Sequence, residues 1–567
     1  MTQSGFYKKE VIANNSMVAT KDRLASESAI EVLKSGGNAI DAAIVAFFVL
    51  SVVEPYSSGI GGGGYLVYQF GEKGGVIGFP MKSSFAATEN MFALTGEKGV
   101  GMFGWDGTVN NANIEGILSI GIPGSIAGLC KAHSLLGKIP LKELIQPAIK
   151  IARQGFIPGW FTLNAIAKTI PFILRNKGLS KTFIKENNLE MPTPEKPYCF
   201  KQPELANSLE LIANEGSSSF YHGELKESIF KFFKQTESII IEKDFTEYSP
   251  FIWDKGLEFE YKDSLIRVPP FASGGITTAM TLNLLNEVNL KEMQHNTPEM
   301  LHNYISSARL AYADRVTDIA DPKFVDVPWE GLLSIKYAKE RRSLISDKNN
   351  KKQFLAGNPW NYQKNQNKSL LLPSNPSFDQ GTTHLNVIDN EGNAVSLTNT
   401  LGSGFGSGIV AGDTGIIMNN GMLWFDPVPG HINSITGGKY PLNNMSPALI
   451  FTKTGNTLAV GASGGRRITN CVSTLIINLL DFNMTPQQAI DSPRIDCSLP
   501  YTSLDHRISK ETIKELKNKG HQVKNIGELS KEHTFSAFAS PVVIQKKSNG
   551  TLYGGADTFH SAFVSGN

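Results

Sequence analysis

The chain has 567 residues, 41% apolar and 19% charged, which is ordinary globular usage and enough to bury a large core. Its net charge of +2, from 54 basic and 52 acidic residues, leaves no global field to attract nucleic acid or an anionic membrane. Cys130, Cys199, Cys471 and Cys497 are dispersed and form no CxxC or Cys/His cluster, so neither a metal site, a cofactor site nor a disulfide framework is expected.

Met1 to Ser16 contain no apolar signal region, so a cytoplasmic location is expected. Residues 17–35 repeat apolar positions at helical spacing and predict a helix, stopped by Gly36-Gly37-Asn38. Ala39 to Val53 predicts a second helix, apolar nearly all round. It is well short of the roughly 20 residues a membrane span needs, which makes it a buried helix of a layered structure. Gly59-Ile60-Gly61-Gly62-Gly63-Gly64 satisfies G-x-G-x-x-G formally. A helix precedes it and a strand, Tyr65 to Phe70, follows, the reverse of a dinucleotide fingerprint. These glycines are better suited to close backbone approach.

From Gly116 to about Asp347 amphipathic helices alternate with short strands, with Leu141–Gln154 and Pro203–Gly216 as the clearest helices. Pro269 to Ile276 reads as a tight turn before a helix. The tract 347–381, rich in Asn, Lys, Gln, Pro and Ser, has no apolar period and is expected to be mobile or draped on the surface. A hairpin follows: strand Thr383–Asp389, turn Asp389–Gly392, and return strand Ala394–Thr400. Thr457–Gly461 predicts a strand, Ala462–Gly465 a loop, and Ile468, Val472, Leu475, Ile476 and Leu479 one face of a helix. That arrangement aims N–H groups at a point where negative charge can develop.

The tract meets the hairpin at Gln380-Gly381-Thr382-Thr383-His384. A cut between Gly381 and Thr382 would leave a threonine whose own α-amine, with a pKa of about 7.7 to 8.0, can serve as its base. Before the cut, the same hydroxyl could attack the Gly381 carbonyl. Residue usage alone leaves a second reading open, in which the two threonines are ordinary β-branched strand residues.

The run Gly381-Thr382-Thr383-His384-Leu385-Asn386-Val387-Ile388-Asp389 resembles the processing site of the γ-glutamyltransferase family of N-terminal nucleophile hydrolases. The resemblance extends to Leu33–Ala43, Gly61–Gly64, Pro270–Gly275, Ala311-Tyr312-Ala313-Asp314-Arg315, Gly406–Gly412, Pro441–Pro447 and Gly464-Gly465. It implies an α+β fold, a four-layer αββα sandwich built from two chains of one precursor: a large subunit of residues 1–381 and a small subunit of 382–567, together one globular unit. Thr382 would be both self-cleaving agent and nucleophile, Thr400 its supporting hydroxyl, and Gly464 and Gly465 the oxyanion donors. The two chains would pair obligately, with room for a homo-oligomer of such heterodimers. His384 and Asp314 are read as structural.

The family residues that grip a γ-glutamyl group are altered. The arginine clamp falls at Gly78-Phe79-Pro80-Met81-Lys82, leaving Lys82 as the cation. Other polar positions become Gly402, Gly421 and Trp424, and a serine pair becomes Asn443 and Asn444. An α-ammonium would lose several partners at about 1 to 3 kcal/mol each. The expectation is a self-processing amidohydrolase or acyltransferase whose substrate is not glutathione itself. Its carboxylate would be held by Arg466 or Lys82 beside Trp424, with Arg466 and Arg467 equally readable as structural ion pairs. The alternatives are a γ-glutamyl hydrolase or transpeptidase with a rearranged pocket, and a non-catalytic scaffold that kept the fold.

Overall fold

The computed structural model describes residues 8–184, 195, 199–346, 354–363, 381–526 and 538–567. Within them, two seven-stranded sheets stack face to face. The first runs, in spatial order, Phe563–Gly566, Met17–Thr20, Thr383–Ile388, Ala394–Thr400, Gly63–Phe70, Lys73–Phe79 and Phe251–Trp253, antiparallel throughout. The second runs Val11–Ala13, Leu552–Ala556, Ser540–Lys546, Thr457–Ser463, Ala448–Thr452, Ser264–Val268 and Leu257–Tyr261, again antiparallel.

Helices cover both outer faces. Arg23–Lys34, Ala39–Val53 and Leu141–Gln154 share one core with the first sheet. Gly274–Leu285, Pro298–Asp318 and Ile468–Leu480 share another with the second, and a third apolar core fills the space between the sheets. This is the expected αββα sandwich. Ala39–Val53 is buried at every position, as its apolar circumference requires. Asn38 starts it with a reciprocal cap: its side chain accepts from the N–H groups of Ile40 and Asp41, and its own N–H donates to the Asp41 carboxylate.

The expected helix over 17–35 is corrected at its start. Met17–Thr20 is a strand between Thr383–Ile388 and Phe563–Gly566, and the helix begins only at Arg23 behind the Asp22 cap. Sheet partners hundreds of residues away override local periodicity here. Part of the polar tract is also better fixed than expected. Pro359–Tyr362 forms a short helix, the Gly357 N–H donates to Asp314 at 2.7 Å, and Trp360 Nε1 donates to Asp318 at 3.3 Å. The rest of the tract, 347–353 and 364–380, lies outside the described residues.

Candidate active site

The hairpin carries the site because it lies mid-sheet, where every backbone group is held. Thr383 pairs with Asn399, and Thr400 at the end of the return strand pairs with Gly63. The glycine run makes this pairing close: a Cβ on Gly62 would lie 2.2 Å from the Thr400 carbonyl oxygen, and one on Gly64 2.3 Å from that of Thr398. Backbone approach is therefore the use of the glycines. Thr382 precedes the strand, 4% exposed, and its Oγ1 lies 2.5 Å from the Gly381 carbonyl oxygen and 3.1 Å from Thr400 Oγ1. The buried Thr400 hydroxyl donates to the same carbonyl and accepts from the Gly402 N–H at 2.9 Å. Ser57 Oγ donates to the Thr382 carbonyl at 3.1 Å. Gly381 has φ of +151°, and a Cβ there would sit 2.4 Å from the Ser403 carbonyl carbon and oxygen, so glycine is required.

Gly464 and Gly465 occupy the turn between the Thr457–Ser463 strand and the helix at Ile468, with φ of +135° and +56°. Neither N–H has a hydrogen-bond partner among the described residues. Arg467 Nε donates to the Gly464 carbonyl at 3.1 Å and holds the turn.

A cleft of about 80 Å³ opens on Thr382. Its lining includes Gly381, Gly464, the cations Lys21, Lys168 and Arg467, and an apolar wall with Phe161, Phe405 and Phe538. Glu54 and His560 complete the titratable lining. Glu54 accepts from Thr383 Oγ1 at 2.6 Å and from Tyr56 at 3.1 Å; burial raises its pKa to about 7, opposed by Lys21. Burial lowers Lys21 to about 8, with Glu54 opposing. His560 is held by Asp557, and burial depresses its pKa to about 4.

None of the expected substrate-binding residues lines this cleft. Lys82 lies under Phe85 and Tyr248, its Nζ 4.5 and 5.7 Å from the ring centroids. Gly402 and Gly421 pack on Asn420 and Met81, and Trp424 is in the core between the sheets. Asn443 donates to Tyr65 and to the Ala272 carbonyl, and Asn444 is buried beside it. The Tyr312 hydroxyl donates to the main-chain carbonyl of Arg466 at 2.8 Å, and it is the neighbouring Arg467 that lines the cleft. One residue of helical turn separates the two arginines, a distinction a sequence pattern cannot make. Lys21, Glu54, Lys168 and His560 gave no sequence signal, since they reach Thr382 from segments far apart in the chain, Lys21 from the end of the neighbouring strand and Glu54 from the end of the Ala39–Val53 helix. His384 is buried, bonded to Thr398 and Asn386, and Asp314 pairs with Arg341 at 3.0 Å.

The layered fold, with a threonine at the head of a central strand, defines the N-terminal nucleophile hydrolase class. A family profile described as Gamma-glutamyltranspeptidase matches residues 25–566. The glutathione hydrolase proenzyme of Bacillus subtilis (strain 168) is 32% identical over 562 residues, covering 97% of this chain and 93% of that protein. The acylase ACY 1 proenzyme of Pseudomonas sp. (strain V22) is 31% identical, covering 91% and 88%. Among solved structures, cephalosporin acylase from Bacillus halodurans superposes with a TM-score of 0.84 at 24% identity, over 100% of this chain and 99% of that one. The Helicobacter pylori gamma-glutamyltranspeptidase superposes at 0.56 with 29% identity, over 64% and 99%. The chain belongs to the gamma-glutamyltranspeptidase family and is an enzyme of that type.

Proposed function

We propose that the precursor cuts itself between Gly381 and Thr382, and that Thr382 then cleaves amides through an acyl-enzyme ester. One observation carries this reading: the hydroxyls of Thr382 and Thr400 both address the Gly381 carbonyl. Attack by Oγ1 on that carbonyl gives an ester, which water opens to free the Thr382 α-amine. The amine then serves as the base for Oγ1 when a substrate amide arrives. The unpartnered N–H groups of Gly464 and Gly465 suit the oxyanion of that step. Acyl transfer to water or to an amine completes the cycle. The two chains would stay paired, since Met17–Thr20 and Gly63–Phe70 flank the hairpin in one sheet.

The cleft favours an amide with an anionic, partly apolar portion. Lys168 is exposed on its rim, and burial alone lowers its pKa. Glutathione itself is a poor fit, since the cleft would set an α-ammonium among Lys21, Lys168 and Arg467, and its carboxylate Glu54 is already bonded to Thr383 and Tyr56. The names of the relatives do not choose, standing at 32% for a glutathione hydrolase and 31% for an acylase.

Denaturing electrophoresis with intact mass tests the first part: two fragments, one beginning at Thr382, in the native protein and a single chain in Thr382→Ala. An uncut, inactive native chain would mean a scaffold. For the cleft, Lys168→Ala should raise KM about threefold to tenfold for an anilide whose leaving group bears a carboxylate, relative to the neutral anilide. An equal KM change on both would remove Lys168 from substrate recognition.

A further inference from the structure

His560 lines the cleft at Thr382 with one ring nitrogen committed and the other unused. Its Nδ1 is bonded to Asp557, and Nε2 has no hydrogen-bond partner among the described residues. Asp557 is 0% exposed. Burial works against its charge, but Arg494, His560 and Lys21 outweigh it and hold the carboxyl well below the usual carboxylate range. An ionised carboxylate can only accept, so the Nδ1 proton is given to Asp557 and Nε2 carries a lone pair. Burial, then Lys21, keeps the pKa of the ring at about 4 against the opposing pull of Asp557, so that lone pair is present at neutral pH.

The ring and its loop are fixed from several sides. Phe161, which also lines the cleft, packs on His560 with ring centroids 4.3 Å apart and planes tilted at 45°. Lys8 Nζ ties down the backbone, donating to the carbonyls of Asp557, His560 and Ala562 at 2.6, 3.0 and 2.5 Å. Asp557 in turn pairs with Arg494, whose Nη1 donates to the Ala539 carbonyl at 2.9 Å. Ala539 packs on the oxyanion turn, since a Cβ on Gly464 would lie 2.7 Å from its Cα. The segment that carries His560 is thus braced against the segment that carries Gly464.

In the cycle proposed above, Oγ1 has the α-amine of Thr382 and the oxyanion has the N–H groups of Gly464 and Gly465. The attacking water has no partner. Of the other ionisable groups lining the cleft, Lys21, Lys168 and Arg467 are donors in their charged forms, and the two oxygens of Glu54 already accept from Thr383 and Tyr56. Nε2 of His560 is the remaining acceptor among them. We propose that His560 is a catalytic residue for opening the ester on Thr382: Nε2 accepts one hydrogen of the attacking water while the α-amine accepts the other. With both hydrogens engaged, a lone pair of the oxygen is turned to the acyl carbon. A C–O bond forms, the bond from the acyl carbon to Oγ1 breaks, and the proton taken by the α-amine passes to Oγ1, giving the free acid. His560 ends as it began, neutral. A primary amine offers the same two hydrogens and can take the place of water. This role rests on the reading that Thr382 is the nucleophile.

Self-processing supplies the test without a known substrate, because its intermediate is the ester of Gly381 on Thr382. Freshly folded precursor is followed by denaturing electrophoresis and intact mass, with and without hydroxylamine, a nucleophile strong enough to open esters unaided. In His560→Phe, which keeps a ring against Phe161 and removes the lone pair, cutting should slow at least about tenfold, the order of one lost hydrogen bond. The ester should accumulate, and hydroxylamine should restore the cut, leaving a hydroxamate on Gly381. His560→Gln, which restores an acceptor, should cut nearer the native rate. Native-rate cutting in His560→Phe, or slow cutting that hydroxylamine does not restore, overturns the proposal. A neutron diffraction map of the native protein reads the ring with no variant's folding in question: hydrogen on Nδ1 and none on Nε2 is expected, and hydrogen on Nε2 overturns the proposal as well. An uncut native chain would remove Thr382 as nucleophile and this role with it. A native chain that cuts, with His560→Phe cutting equally fast, would remove His560 alone.

Discussion

Thr382 is placed as much by what its neighbours deny it as by the bonds of its hydroxyl to Gly381 and Thr400. Gly381 cannot carry a side chain, because a Cβ would enter the Ser403 carbonyl. Gly381→Ala should therefore accumulate as uncut precursor with its fold intact, measured by fragment ratio and circular dichroism. Thr400→Val removes one hydroxyl from the Gly381 carbonyl and leaves the Gly402 N–H unpaired. Processing should slow about tenfold to a hundredfold, equivalent to about 1.4 to 2.7 kcal/mol, in a time course from freshly folded precursor. At this scale the special backbone at Gly381, Gly464 and Gly465 was legible, because a positive φ leaves its mark in the sequence as glycine. Which of Arg466 and Arg467 faces Thr382 left none.

Helices and strands were legible where the pattern was local. Ala39–Val53 and Leu141–Gln154 have the limits their apolar runs predict, and the hairpin strands at 383 and 394 begin where expected. The Asn38 cap is worth testing, since its side chain also donates to the Leu136 carbonyl at 2.7 Å. Asn38→Ala should cost about 1 to 2 kcal/mol in denaturant unfolding without changing the processed fragments. Met17–Thr20 shows the limit of such reading. Its four residues continue a helical period on paper, yet they fill a gap in the sheet next to the strand Thr383–Ile388, and their partners begin at 386 and 563.

Across the whole molecule, burial of histidines sets the response to acid. Burial depresses His384 to about 3 from 6.5, and His521 likewise to about 3, with His302 adding to the effect. Both groups bind protons more readily unfolded than folded. Their stability is therefore fully present above pH 6.5 and is lost as pH falls toward 3. Between pH 6.5 and 5 each should remove about 2 kcal/mol, read as a fall in unfolding midpoint. His521→Gln should flatten that slope; an unchanged slope would place acid sensitivity elsewhere. No helix among the described residues is long and apolar enough to cross a membrane, and none of them forms a cluster suited to a metal ion.

The sequence by itself determined the family, through its motifs, and with the family the layered fold, while the hairpin follows from β-branched runs and a glycine turn whose constraints act within a few residues. Only the tertiary structure decided what surrounds Thr382. Strand pairing, helix packing and the second sheet together bring Lys21, Glu54, Lys168, Arg467 and His560 to one cleft. Side chains from distant segments meet there according to sheet register and helix rotation, neither of which is written in local order.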